Sequence, residues 1–203
     1  MMTDMTTDKK WARNIYAISI FIGAALLFTT ASHAEVKFVL IGDATQEHDT
    51  TAGVSGTTDG LLSFGAGGLY ELGDKASRWG LETGALYFQR NPGQSGVSSS
   101  ISHWLELPVL GRYHAGDASL GLGGYFAKGF GNQTTVLSGV SSSSALSSTQ
   151  KTFDYGLQAA LSYVIGLHVL LELRYSLGLA NLASASADSL KYTDAQFFVG
   201  WRF

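Results

Sequence analysis

The strongest constraint on this chain is a period-two alternation that keeps its charges and its large apolar side chains on opposite faces. In Val169–Leu179 the odd positions are Val, Leu, Leu, Tyr, Leu and Leu, whereas the even positions include Glu172, Arg174 and Ser176. Trp79–Tyr87 repeats the pattern, with Trp79, Leu81, Thr83, Ala85 and Tyr87 on one face and Glu82 on the other. A helix would scatter these charges along its apolar stripe, and only a strand separates them. The same reading along the chain predicts eight strands, at about 35–43, 60–72, 78–90, 101–114, 118–130, 151–165, 168–180 and 193–203. The connections alternate, long at 44–59, 91–100, 131–150 and 181–192 and short at 73–77, 115–117 and 166–167. Alternation of this kind fits an all-β, antiparallel up-and-down barrel with one looped end and one tight end.

Composition decides which face of such a barrel meets solvent. Only 14% of the residues are charged, a small fraction for a surface that must be hydrated by water, and 25 are Gly against 2 Pro. An apolar outer face therefore implies a lipid surround. Trp and Tyr favour the two membrane interfaces, and they collect at strand ends here. Tyr70, Trp79, Tyr113, Tyr163, Trp201 and Phe203 fall at the tight end, and Tyr87, Phe126, Phe153 and Tyr155 at the looped end. A soluble barrel with its apolar side chains inside would have no reason for that banding. The Ser-rich run Ser138–Thr149 reads as a solvated, flexible loop.

The N-terminus supplies the route to the membrane. Lys9, Lys10 and Arg13 precede an apolar run from Ile15 to Phe28, followed by Ala31-Ser-His-Ala34 with small residues at the exit. This is the order of a secretory signal, so residues 1–34 are expected to be a leader cleaved near Ala34, leaving 35–203 as the barrel. An uncleaved anchor would want nearer ~20 apolar residues.

Two segments carry a resemblance. Ala195–Phe203 places Phe197, Val199, Trp201 and Phe203 at alternate positions and resembles the terminal signal read by the outer-membrane assembly machinery. Trp104-Leu-Glu-Leu-Pro-Val-Leu-Gly-Arg-Tyr113 resembles the Leu-Glu-Ile-Pro strand of the porin-like outer-membrane β-barrel domain family, with Leu107 in place of Ile. The resemblance implies a small eight-stranded barrel in the bacterial outer membrane, in contact with its lipids and delivered by the assembly machinery through Phe203. That family is functionally mixed, so it implies little about activity. Pro108 cannot donate a ladder hydrogen bond, and a bulge or a gap in pairing is expected there.

If the apolar positions face lipid, the inward set includes Lys37, Glu71, Arg90 and Asp154 together with a structural network of Glu82, Glu106, Arg112, Glu172, Arg174 and Arg202. An eight-stranded barrel has room only for side chains in its lumen, so these charges should pair and plug it. Catalytic, cofactor and metal sites are not expected. His103 beside Ser102, with Asp154 at similar height, is the nearest approach to a hydrolase set, and it lacks an oxyanion motif. His48 between Glu47 and Asp49 reads as a solvated loop residue. The absence of Cys removes thiolate chemistry, and the net charge of -3 offers no field for nucleic acid. The expected role is a non-enzymatic, structural or adhesive barrel that anchors four surface loops, with an unknown extracellular ligand. A narrow ion or small-solute channel and a lipid-modifying barrel enzyme are the alternatives.

Overall fold

The computed structural model describes residues 34–51, 53–73, 78–93, 98–184 and 188–203. The expected leader lies outside them, except for Ala34. Among the described residues ten strands form one antiparallel sheet: β1 (Ala34–Thr51), β2 (Val54–Thr58), β3 (Leu62–Leu72), β4 (Trp79–Arg90), β5 (Ser98–Ala115), β6 (Ala118–Leu137), β7 (Val140–Ala145), β8 (Phe153–Ile165), β9 (Val169–Gly178) and β10 (Ser189–Arg202). Eight of these run in the order β10-β9-β8-β6-β5-β4-β3-β1 and close by pairing β1 with β10. The remaining two, β2 and β7, pair outside the ring with β1 and β6.

Register fixes the width of the cylinder. Crossing the ladders from Val36 through Tyr70, Thr83, Val109, Gly124, Leu157, Leu177 and Thr193 returns to β1 at Gln46, ten residues from the start. With ~3.3 Å rise and ~4.8 Å strand spacing, that shear tilts the strands by roughly 40° and makes a wall about 16 Å across. Such a bore is filled by one layer of side chains from each strand.

Burial follows the alternation, but with the apolar side chains outside. Leu120, Leu122, Leu157, Leu161, Leu173, Phe64 and Phe197 are exposed, whereas Glu82, Arg90, Glu106, Arg112 and Asp154 are fully buried. Near the tight turns Trp79 packs on Tyr113 with ring centroids 4.9 Å apart, and Trp201 stacks on His168 at 5.1 Å. At the same end Tyr70 is half-buried, and Tyr163 and Phe203 are exposed, with Phe203 edge-on to Phe38. At the looped end Tyr87 lies against Phe130, and Phe153 against Tyr155.

Three features differ from the sequence reading or refine it. Pro108 still pairs opposite Tyr125 of β6, but the β4–β5 ladder skips from Thr83↔Val109 to Leu86↔Glu106 with its register intact. Pro108 therefore opens a local gap without a bulge. The bulge lies elsewhere: between the pairs Ile101↔Thr134 and His103↔Phe130, one residue of β5 opposes three of β6. Gly131 adopts φ 74° there, a left-handed turn of the backbone that glycine takes without strain.

The third is a correction. The region assigned to long loops is largely strand: β1 continues to Thr51, β6 to Leu137, and β7 with a single helical turn α1 (Leu146–Thr149) replaces the expected flexible loop at 138–149. These extensions are Ser-, Thr- and Gly-rich or polar, and β7 is exposed on both faces, so they carry no apolar alternation by which a sequence could reveal them.

Candidate functional site: the filled lumen

Inward side chains alternate with outward ones along the strands of the ring. On β5, from the turn end to the loop end, they are Arg112, Leu110, Pro108, Glu106, Trp104 and Ser102, all buried. Glycines make the room: a Cβ on Gly123 of the neighbouring strand would sit 2.1 Å from the Val109 carbonyl oxygen.

Glu82 is the hub at the turn end. It accepts hydrogen bonds from Arg112 Nη2 at 2.6 Å, Arg174 Nη2 at 2.9 Å and Lys37 Nζ at 2.9 Å. Glu172 accepts from Arg174 Nε at 2.8 Å and also pairs with Arg112. Lys37 reaches Glu71 at 2.5 Å, and His114 closes on the same carboxylate from the rim. Three cations thus meet three carboxylates, joined by Ser119 and Ser162, which lie within reach of Arg112 Nη1.

Two of the expected network members stand apart. Among the described residues Glu106 makes no ion pair; its Oε1 accepts from Gln158 Nε2 at 2.8 Å, and Gln158 Oε1 accepts from Arg174 Nη1 at 3.4 Å. Arg202 is about a third exposed at the rim, where it meets Glu35 at 3.3 Å and the Leu167 carbonyl. Its parity points it inward, but it occupies the last turn of the strand, where water reaches it.

A second cluster near the loop end is centred on Arg90. Its Nη2 donates to Asp194 Oδ2 at 2.6 Å, and Nη1 lies 2.8 Å from Asp154 Oδ2. The guanidinium sits 4.5 Å from the Trp104 ring centroid and 4.8 Å from that of Tyr192, two cation–π contacts from rings set edge-to-face. Asp194 was legible as an inward position by parity with Gln196 and Phe198, but its pairing with Arg90 comes from the barrel's shear and not from either segment.

Around this cluster Phe88, Trp104, Tyr125, Leu146, Leu182 and Tyr192 form an apolar cork. Leu146 of α1 is fully buried in it. The Ser-rich segment is therefore pinned by one leucine. Leu146→Ala is expected to cost about 2 kcal/mol, the low end for a buried leucine because the short segment can settle inward; urea unfolding in detergent measures it. At the rim, above the lipid band, burial pushes the Glu47 carboxyl up, partly offset by the Tyr192 hydroxyl.

The hydrolase arrangement does not form. Ser102 faces the lumen and accepts from Trp104 Nε1 at 2.9 Å, while His103 faces outward and meets the Tyr87 hydroxyl at 2.7 Å. Asp154 is occupied by Arg90 and by the Tyr125 hydroxyl at 3.0 Å. Neighbours on one strand point to opposite faces, so Ser102 and His103 cannot act on one substrate atom. His48 contacts Thr57 at 3.3 Å.

A closed ring of eight strands with a polar interior and an apolar, aromatic-banded exterior is the architecture of outer-membrane barrels. Residues 29–184 match the outer membrane protein β-barrel domain. The chain belongs to that family. It is accordingly a membrane protein of the Gram-negative outer membrane, surrounded by its lipids. This outer membrane protein is similar to the attachment invasion locus protein Ail of Yersinia pestis, with 16% identity over 84% of the present chain and 99% of Ail, and a TM-score of 0.48. It is also similar to Neisserial surface protein A, with 12% identity over 81% and 95% of the two chains and a TM-score of 0.46. OprG of Pseudomonas aeruginosa matches at 15% identity over 84% and 97%, with a TM-score of 0.42. No curated protein shows significant similarity to the chain.

Proposed function

We propose that this barrel is a non-enzymatic anchor whose plugged lumen holds rigid extracellular projections in place, for a structural or adhesive role. The observation that carries this reading is the lumen itself: Glu82, Arg112, Arg90, Asp154 and Asp194 are all fully buried and ion-paired, together with a cork that contains Leu146. A passage for ions would need both clusters to separate, each at the cost of bared charges in a low-dielectric interior. The parts left free to act are the β1–β2 and β6–β7 hairpins above the lipid band. Export with cleavage near Ala34, and delivery to the assembly machinery through Phe203, belong to the same reading.

Conductance tests it. The refolded barrel in planar bilayers is expected to give no discrete current steps. Steps of reproducible size that change in Arg90→Gln would instead favour a narrow channel.

A further inference from the structure

The loop-side half of the wall sorts its charge by sign. Among the described residues there, Asp43, Glu106, Asp154 and Asp194 are buried in the lumen, and Glu47 and Asp49 share the inward parity of Asp43. The lysines take the other parity. Lys128 on β6, Lys151 just before β8 and Lys191 on β10 are all exposed on the outer face. Asp59 is exposed at this end too, but it is held by Gln46 at 3.0 Å beside β1, four strands from β6 in either direction around the ring.

Two of these lysines meet at one point of the wall. Lys128 stands opposite Leu105 on β5 and Phe153 on β8. His103 and Lys151, each two residues nearer the loops than those partners, are therefore its diagonal neighbours on the same face. The β6–β8 pairing continues past Phe153, since Gly129 donates to the Thr152 carbonyl at 2.8 Å, and Lys128 Nζ donates to the Thr152 hydroxyl at 2.7 Å, next to Lys151. Lys151 Nζ donates to the Asn181 carbonyl at 3.3 Å. Among the described residues each ammonium thus spends one of its three hydrogens on the protein. His103 meets the Tyr87 hydroxyl through Nδ1, which leaves Nε2 without a protein partner among the described residues.

Height decides what this point touches. With the strand tilt and register given above, Lys128 lies roughly 22 Å along the barrel axis from the tight-end ring of Tyr163 and Trp201. An outer-membrane barrel presents an apolar band about 25 Å tall, so Lys128 stands at its loop-side boundary, the outer leaflet's headgroup level. Phe126 and Phe130 flank it on β6 and Phe153 faces it on β8, all exposed, so the lysine stem crosses aromatic surface and carries its charge up to the headgroups. Cations at this level, with no carboxylate on their own face beside them, are matched by an anion that arrives attached to an apolar tail.

We propose that Lys128 and Lys151, with His103 Nε2 adjoining, form a binding site for the phosphate of an outer-leaflet lipid, whose acyl chains lie on the exposed Leu107, Phe126 and Leu157 below it. Lys191, opposite His48 on the β1–β10 ladder, lies outside this site and supplies the control.

The full barrel is refolded in phosphatidylcholine nanodiscs, bisphosphorylated lipid A is added in rising amounts, and native mass spectrometry reads the fraction of barrel that keeps one lipid A. The apparent affinity is expected to fall about fivefold in Lys128→Gln or Lys151→Gln and roughly thirtyfold in the double variant. Lys191→Gln should retain the lipid as the wild type does, and lipid A stripped of its phosphates should not be retained. Equal retention in the double variant, equal retention of the stripped lipid, or an equal loss in Lys191→Gln, which would mark a diffuse surface charge, overturns the proposal. Inorganic phosphate is added as a competitor in a parallel series. Displacement of the lipid by phosphate at matching concentration would assign the lysines to a free anion and overturn the lipid as occupant.

Discussion

Glu82→Gln should lower the unfolding free energy of the barrel by about 3–5 kcal/mol, because it strips one carboxylate from a buried cluster and leaves its cations behind. Arg112, Arg174 and Lys37 all donate to Glu82, and each has at most one further carboxylate at ion-pair distance on the inner side of the cluster, Glu172 or Glu71. The substituted amide keeps the shape and can still accept, so the loss isolates charge from packing. Arg202→Gln provides the contrast. Its pair with Glu35 lies at the wet rim, where exposed ion pairs contribute about 0–1 kcal/mol. Urea unfolding of the two variants in the same lipid measures the difference, and equal losses would mean that the turn-end cluster is hydrated and contributes little.

The second large effect tests the outer face. Leu122→Arg should cost about 2–4 kcal/mol in a bilayer, the range for a cation placed on the lipid side of a barrel near its midplane. Leu122 is well exposed on β6, between Gly111 on β5 and Ala159 on β8, so no neighbour offers a counter-charge. Ser119→Arg would not serve as a comparison, because Ser119 faces the filled lumen. Substitution at Lys128, which lies at the loop end beside Thr152, provides the interfacial control: Lys128→Arg should change stability by less than about 1 kcal/mol. A soluble barrel would show no such difference in water, since an arginine on a hydrated surface is close to neutral.

The wall was legible because a lipid-facing surface forces the alternation into the sequence. Leu171, Leu173 and Tyr175 against Glu172 and Arg174 could be assigned to faces without any knowledge of neighbours. The pairing inside the lumen was legible only in part. Glu82, Glu106, Arg112, Glu172, Arg174 and Arg202 could be grouped as inward-facing by parity, whereas the Arg90–Asp194 pair joins residues 104 positions apart and depends on a shear that no single segment encodes. Asp43 was hidden for a further reason: it sat at the edge of a predicted strand that in fact continues to Thr51. The projections were illegible altogether. Val140–Ala145 is mostly serine and exposed on both faces, so no burial pattern marks it. Leu146, by contrast, was a visible anomaly, a lone large apolar residue in a run of serines, and it is the residue that enters the cork.

The continuity of the β6–β7 hairpin with the barrel wall has a mechanical meaning. Strand β6 runs unbroken from Ala118 to Leu137, and β5 accompanies it from Ser98 to Ala115. A tug on the tip along the strand loads these rungs together, in shear, instead of opening them one after another as a zipper would. The left-handed glycine at Gly131 coincides with the register irregularity of the β5–β6 ladder and forms a joint along that path. A cell held by this tip would thus be tethered by a short, stiff lever clamped in the wall, and bending at the joint would absorb a sideways pull before the wall itself is strained.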